Sequence, residues 1–94
     1  MKLMHSYSLY VPDISKLQEY QVRIREILNH RFEGYTMYKA EGAWKGCYEP
    51  VRIYNVLTED RCDHIFDAIS DFLKKEAGEE SVLYTLDTIN TKGI

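Results

Sequence analysis

Apolar and polar residues alternate from Leu3 to Val11, with Leu3, His5, Tyr7, Leu9 and Val11 on one side and Met4, Ser6, Ser8 and Tyr10 on the other. This period of two predicts a β-strand over residues 3–11 with one buried face. Pro12 cannot donate to a ladder and ends it. The period then changes. Leu17, Tyr20, Ile24, Ile27 and Leu28 recur at three- and four-residue spacing, one face of an α-helix over residues 14–30. Asp13 or Ser15 can cap that helix, and Gln18, three positions after Ser15, completes a capping box.

Residues 35–40, YTMYKA, and 50–57, PVRIYNVL, read as the second and third strands. In the third, Val51, Ile53, Asn55 and Leu57 face one way while Arg52, Tyr54 and Val56 face the other. The connecting EGAWKGCYE carries two glycines that suit a loop with positive φ or a bulge. Thr58 is placed to cap a second helix over 59–77, with Glu59 and Asp60 in its first turn, where the dipole favours acids. Cys62, Ile65, Phe66, Ile69, Phe72 and Leu73 form its apolar stripe, and Gly78 is a terminator. SVLYTLDTI, residues 81–89, is the fourth strand. The order β-α-β-β-α-β buries both helical stripes most simply as two helices on one face of a four-stranded antiparallel sheet, an α+β ferredoxin-like sandwich in a single domain over 1–94. The other face of the sheet offers Tyr10, Tyr38 and Tyr54, depending on register, and that face or an edge strand is expected to build a homodimer or higher homo-oligomer, the alternative being a solvated face whose tyrosine hydroxyls stay wet.

Composition narrows the function. Twelve basic against fifteen acidic residues give a net charge of −3, which opposes DNA binding, since phosphates call for a basic face. The first residues lack the apolar core and cleavage site of a signal peptide, and no run reaches membrane-spanning length, so a cytoplasmic location without membrane association is expected. Cys47 and Cys62 lie fifteen positions apart without metal-ligand spacing and read as free thiols. His5, His30 and His64 show no ligand or catalytic pairing, so no metal, no cofactor and no catalytic set is expected. Fold analogy with small dimeric α+β barrels keeps a minor enzymatic reading open, with tyrosines and Glu49 as acid and base.

The densest chemistry lies in GYTMYKAEGAWKGCYEP, residues 34–50. It reads first as a hairpin connection between two strands and not as a phosphate loop, because no helix begins at Gly46 to bring amides and a dipole to one point. Trp44 on a turn either folds back over the sheet or offers a flat apolar surface. Lys45, Arg31 and Arg52 supply cations that could meet an anion, while Glu49 could instead bond to Arg52. The ligand-binding candidates are Arg31, Thr36, Tyr38, Trp44, Lys45, Glu49, Arg52 and Tyr54. With eight tyrosines in the chain, this set suits an anionic aromatic small molecule such as a nucleotide, bound or sequestered without catalysis. The alternative is a protein partner, met or inhibited by the same Tyr/Trp-rich surface.

The runs RFEGYTMYKAEGAWKG, EPVRIYNV and EESVLYTL resemble a family of small bacterial proteins defined as a domain of unknown function. Its pattern runs R-F-x-x-G-x-T, A-x-G-x-W, E-P and E-S-V-L. Arg31, Phe32, Thr36, Ala40, Gly42, Trp44, Glu49, Pro50, Glu80, Ser81, Val82 and Leu83 match it in order. Gly34 is displaced relative to the pattern. The resemblance covers Arg31 to Leu86 and implies a common fold and a structurally important hairpin, with no assigned chemistry. Members are often exported, which this N-terminus does not match. Short phage-encoded proteins share similar patterns, and sequestering a nucleotide-like signal is what a phage-type, anti-defence protein could do without catalysis.

Overall fold

A computed structural model describes residues 2–80 and 82–93. Its elements are β1 (Lys2–Pro12), a 3-10 turn (Ser15–Leu17), α1 (Gln18–Arg31), β2 (Thr36–Trp44), β3 (Cys47–Thr58), α2 (Asp63–Glu76) and β4 (Leu83–Thr91). The four strands form one antiparallel sheet in the order β2-β3-β1-β4. This is the expected ferredoxin-like arrangement, with both helices on one face. The core between them is Tyr7, Leu9, Val11, Leu17, Ile24, Leu28, Tyr54, Val56, Phe66, Ile69 and Leu73.

Several boundaries move for local reasons. The capping box does not form: α1 has no side-chain cap, and Gln18 Nε2 instead donates to Asp13 Oδ1 at 3.0 Å and to the Ile14 carbonyl at 3.2 Å. Thr58 does not cap α2 either. Its hydroxyl donates to the Asp60 carbonyl at 2.7 Å, holding a short loop, and the helix starts at Asp63. The expected fourth strand begins at Ser81, outside the described residues, and the ladder runs from Leu83 to Thr91.

The expected hairpin is present, and the largest difference is how far its ladder extends. Residues 41–49, expected as a loop, are mostly ladder, with Glu41 opposite Pro50 and Trp44 opposite Cys47. Lys45 at φ 51° and Gly46 at φ 79° make the two-residue turn, the pair of positive φ values that matches strand twist in a tight hairpin. Because β1 ends at Pro12 opposite Val51, the pairs beyond it project as an arm that is two-stranded among the described residues.

Five of the eight tyrosines tie separate elements together. The Tyr7 hydroxyl accepts from the Cys62 amide at 2.8 Å and donates to Asp63 Oδ1, while its ring stacks on Phe66 with centroids 4.6 Å apart, a contact worth about 0.5–1.5 kcal/mol beyond burial. Tyr84 donates to Asp67 Oδ1 at 2.6 Å, Tyr54 to Gln21 Oε1 at 2.6 Å, and Tyr20 to the Glu76 carbonyl at 3.3 Å. Tyr35 accepts from Arg25 Nε at 3.3 Å. Tyrosine abundance here is therefore largely a matter of pinning the helices to the sheet and to each other.

Candidate functional site

The eight sequence-derived candidates do not converge on one point within a subunit. Tyr54, expected among the exposed-face tyrosines, is fully buried on the helix side, because its pairing opposite Leu9 and Met37 puts it in the core. Arg52 shares that face. Its Nε lies 3.1 Å from Asp13 Oδ1, so its charge is met by Asp13 and not by Glu49. The bond from Gln18 and this guanidinium together hold the Asp13 carboxyl below its usual range. Tyr38 is on the opposite, open face and 47% exposed. Trp44 is exposed at the arm tip, with Lys45 Nζ 5.8 Å from its ring centroid, so it does not fold back over the core. Glu49 sits half-buried on the arm. Thr36 opens β2 eight residues before Trp44, roughly 27 Å away at strand rise. Arg31 ends α1.

Glu49 lines a hollow of about 370 Å³ on the arm and Thr36 one of about 190 Å³ beside Asn55, while Arg31 reaches the cavity between the helices. The antiparallel helices are closed at one end, where Tyr20 meets Phe72 edge-on at 5.5 Å and Arg23 lies 5.8 Å above the Phe72 ring. At the other end they leave a groove of about 460 Å³ lined by Glu26, Ile27, His30 and Arg31 of α1 and His64, Ile65, Ala68 and Ile69 of α2. Ala68 is exposed and too small to fill the gap. The floor is aliphatic and the rim carries two imidazoles, one guanidinium and one carboxylate. Arg31 and Ile65 also line an adjoining cavity of about 630 Å³ that includes Gly34, Thr58, Asp60 and Arg61. Both volumes fall in the range of small-molecule sites.

Sequence reasoning missed Glu26, His30, His64 and Ala68 as groove residues. His30 and His64 come from different helices, and nothing in their linear spacing pairs them. Arg61 is committed to Asp63, which it holds far below the usual carboxylate range with help from Tyr7. Burial pushes the Cys62 thiol up, which disfavours the thiolate a nucleophile needs. Cys47 and Cys62 are both free. Among the described residues no group of three or more His, Cys, Asp or Glu could hold a metal ion, and no helix is long and apolar enough to cross a membrane.

The architecture defines a ferredoxin-like α+β protein with an open interhelical groove. No family model matches the chain, and no curated protein does. Among solved structures it is similar to CPII, a nitrogen regulatory PII-like protein from Thiomonas intermedia K12 bound to ADP, AMP and bicarbonate. That likeness has a TM-score of 0.61 and 9% identity, and covers 98% of this chain and 97% of the other. It is also similar to a de novo designed protein, Foldit4, with a TM-score of 0.55, 13% identity, and coverage of 98% and 100%. At these identities the likeness is one of fold.

Proposed function

We propose that this chain binds an anionic aromatic small molecule of nucleotide type in the groove between α1 and α2, without catalysing its turnover. The observation that carries this reading is the groove itself: an aliphatic floor of Ile27, Ile65, Ala68 and Ile69 beneath a rim of Glu26, His30, His64 and Arg31. A base lies on the floor, Glu26 accepts from an exocyclic amine, and Arg31 takes the phosphate as a charge-assisted pair. Glu26 and Arg31 are five residues apart, about 7.5 Å of helix rise, which is the scale of a nucleoside monophosphate. Binding of ADP and AMP by the PII-like protein of similar fold supports the ligand class by analogy. The same chemistry would suit a phage-type protein that sequesters a signal.

Calorimetric titration with AMP, ADP, ATP and cyclic dinucleotides tests it. Arg31→Ala should weaken binding by about 10- to 100-fold, since hydrogen bonds to charged groups are worth roughly 1.5–3 kcal/mol. Ala68→Trp, at an exposed position, should fill the groove and abolish binding, while Trp44→Ala should leave it unchanged. Absence of binding to the whole panel at millimolar ligand, or full affinity in Ala68→Trp, would remove the proposal.

A further inference from the structure

The sheet face away from the helices has an order that solvent does not require. Tyr38, Ile53, Tyr10 and Leu83 form one unbroken row across all four strands, because Tyr38 pairs with Ile53, Ile53 with Tyr10 and Tyr10 with Leu83. Ala40, Val51 and Pro12 form the next row on one side. On the other side, Thr36, Asn55, Ser8 and Thr85 make a polar row, and Met4 beside Ile89 returns to apolar character further along. Among the described strand positions of this face, the charged residues are Lys2 and Glu49 near its ends and Asp87 on the edge strand. More than a quarter of the whole chain is charged (29%), so the centre of the face is depleted of charge, the compositional mark of an interface core.

The polar row is also prepared for burial. Asn55 Nδ2 donates to Ser6 Oγ at 2.9 Å, Ser8 Oγ at 3.0 Å and the Tyr7 carbonyl at 3.2 Å. Covering a polar group that already has its partners avoids the cost of stranding it. Exposure points the same way: Tyr38 at 47% and Leu83 at 49% stand at opposite ends of the row.

We propose that this face is covered by a second copy of the chain, packed sheet on sheet. A two-fold axis parallel to the strands sets each row on its own counterpart, so that Tyr38 meets the partner's Leu83 and Ile53 meets the partner's Tyr10. Apolar rows then meet apolar rows, and the polar row, with Asn55 and Ser8 already bonded at its centre, meets itself. Aligned sheets pack in this way about 10 Å apart. Four strands roughly 4.8 Å apart and about nine residues long project an area of ~550 Å², which side-chain relief carries toward the ~800 Å² per partner of a standard interface. Trp44 lies on the same face of β2 as Tyr38 by strand alternation, so the arm adds an aromatic anchor at the margin. A second copy is the occupant that the near-neutral face favours, since it offers no charge pattern to a basic or acidic partner. The inference is independent of the interhelical groove, which lies on the other side of the sheet.

Sedimentation equilibrium and native mass spectrometry across micromolar concentrations test it. Wild type should run at twice the subunit mass. Tyr38→Lys and Leu83→Lys, both at half-exposed positions, should run at subunit mass while keeping wild-type far-ultraviolet circular dichroism. Val22→Lys on the outer face of α1 should stay paired, as should the groove variant Arg31→Ala. Emission from Trp44, the sole tryptophan, should shift to the blue as wild type is concentrated and should not shift in Leu83→Lys. A wild-type particle at subunit mass, as a surface reserved for a different protein would give, overturns the proposal, and so does a pair that survives both lysine substitutions.

Discussion

Replacing Tyr54 by phenylalanine probes why this tyrosine belongs to the core. Its ring is fully buried, and its hydroxyl donates to Gln21 Oε1 at 2.6 Å; Gln21, 1% exposed, in turn donates from Nε2 to the Pro12 carbonyl at 3.1 Å. Because a carbonyl can only accept, Pro12 fixes the orientation of the Gln21 amide, and Oε1 cannot turn away when its donor is lost. Tyr54→Phe therefore strands a buried acceptor at a cost of about 1–3 kcal/mol. For a domain of this size that corresponds to a fall in Tm of roughly 4–20 °C. Gln21→Leu strands the Tyr54 hydroxyl and the Pro12 carbonyl, and should cost a similar amount. The double variant should lose less than the sum of the two, with a coupling of about 1–2 kcal/mol. Urea unfolding at constant m value measures all three differences. Tyr54→Phe within about 0.5 kcal/mol of wild type, the range of ordinary surface substitutions, would refute the reasoning, as would strict additivity. Nucleotide affinity should not change in Tyr54→Phe.

Two further predictions follow from the turn and the titrating groups. In the arm, Gly46→Ala places a Cβ at φ 79° and should cost about 1–2 kcal/mol locally, while Lys45→Asn relieves the other positive φ; amide exchange across residues 42–49 should quicken in the first and slow in the second. Stability should fall at both pH extremes. Asp63 and Asp13 are depressed in the folded state, so their contribution is complete above the ordinary carboxylate range and is lost as pH drops through and below about 4. Tyr84, pushed up to about 12 by its bond to Asp67 and by burial, contributes below pH 10 and loses that contribution as pH climbs toward 12. Asp63→Asn should flatten the acid limb of a pH series of melting curves, and an unchanged limb would contradict the assignment.

The order of elements and both helical stripes were legible because periods of two and three-to-four survive any choice of partner. The hairpin connection was legible too, but not how far its ladder runs, since a ladder is made by backbone groups and extends through Glu41, Gly42 and Glu49 without an apolar pattern to announce it. Nor could the sequence place Tyr54: β3 is apolar on both sides, and Ile53 and Tyr54 are both buried, on opposite faces of the sheet. The groove was invisible for a different reason. It lies between two helices that Tyr20 and Phe72 bring together at one end and that the small Ala68 leaves unfilled at the other, neither of which a linear pattern registers. Of the eight ligand candidates, Arg31 is the one that the fold carries into that groove.

Localising a ligand on the molecule tests the central claim most directly. In a ¹⁵N-labelled sample titrated with AMP, the account predicts saturable shifts in the amides of Ile27, His30, Arg31, His64, Ile65 and Ala68, with the arm from Gly42 to Glu49 unmoved. Saturable shifts confined to the arm or to the open sheet face, or a spectrum that ignores the nucleotide, would contradict it.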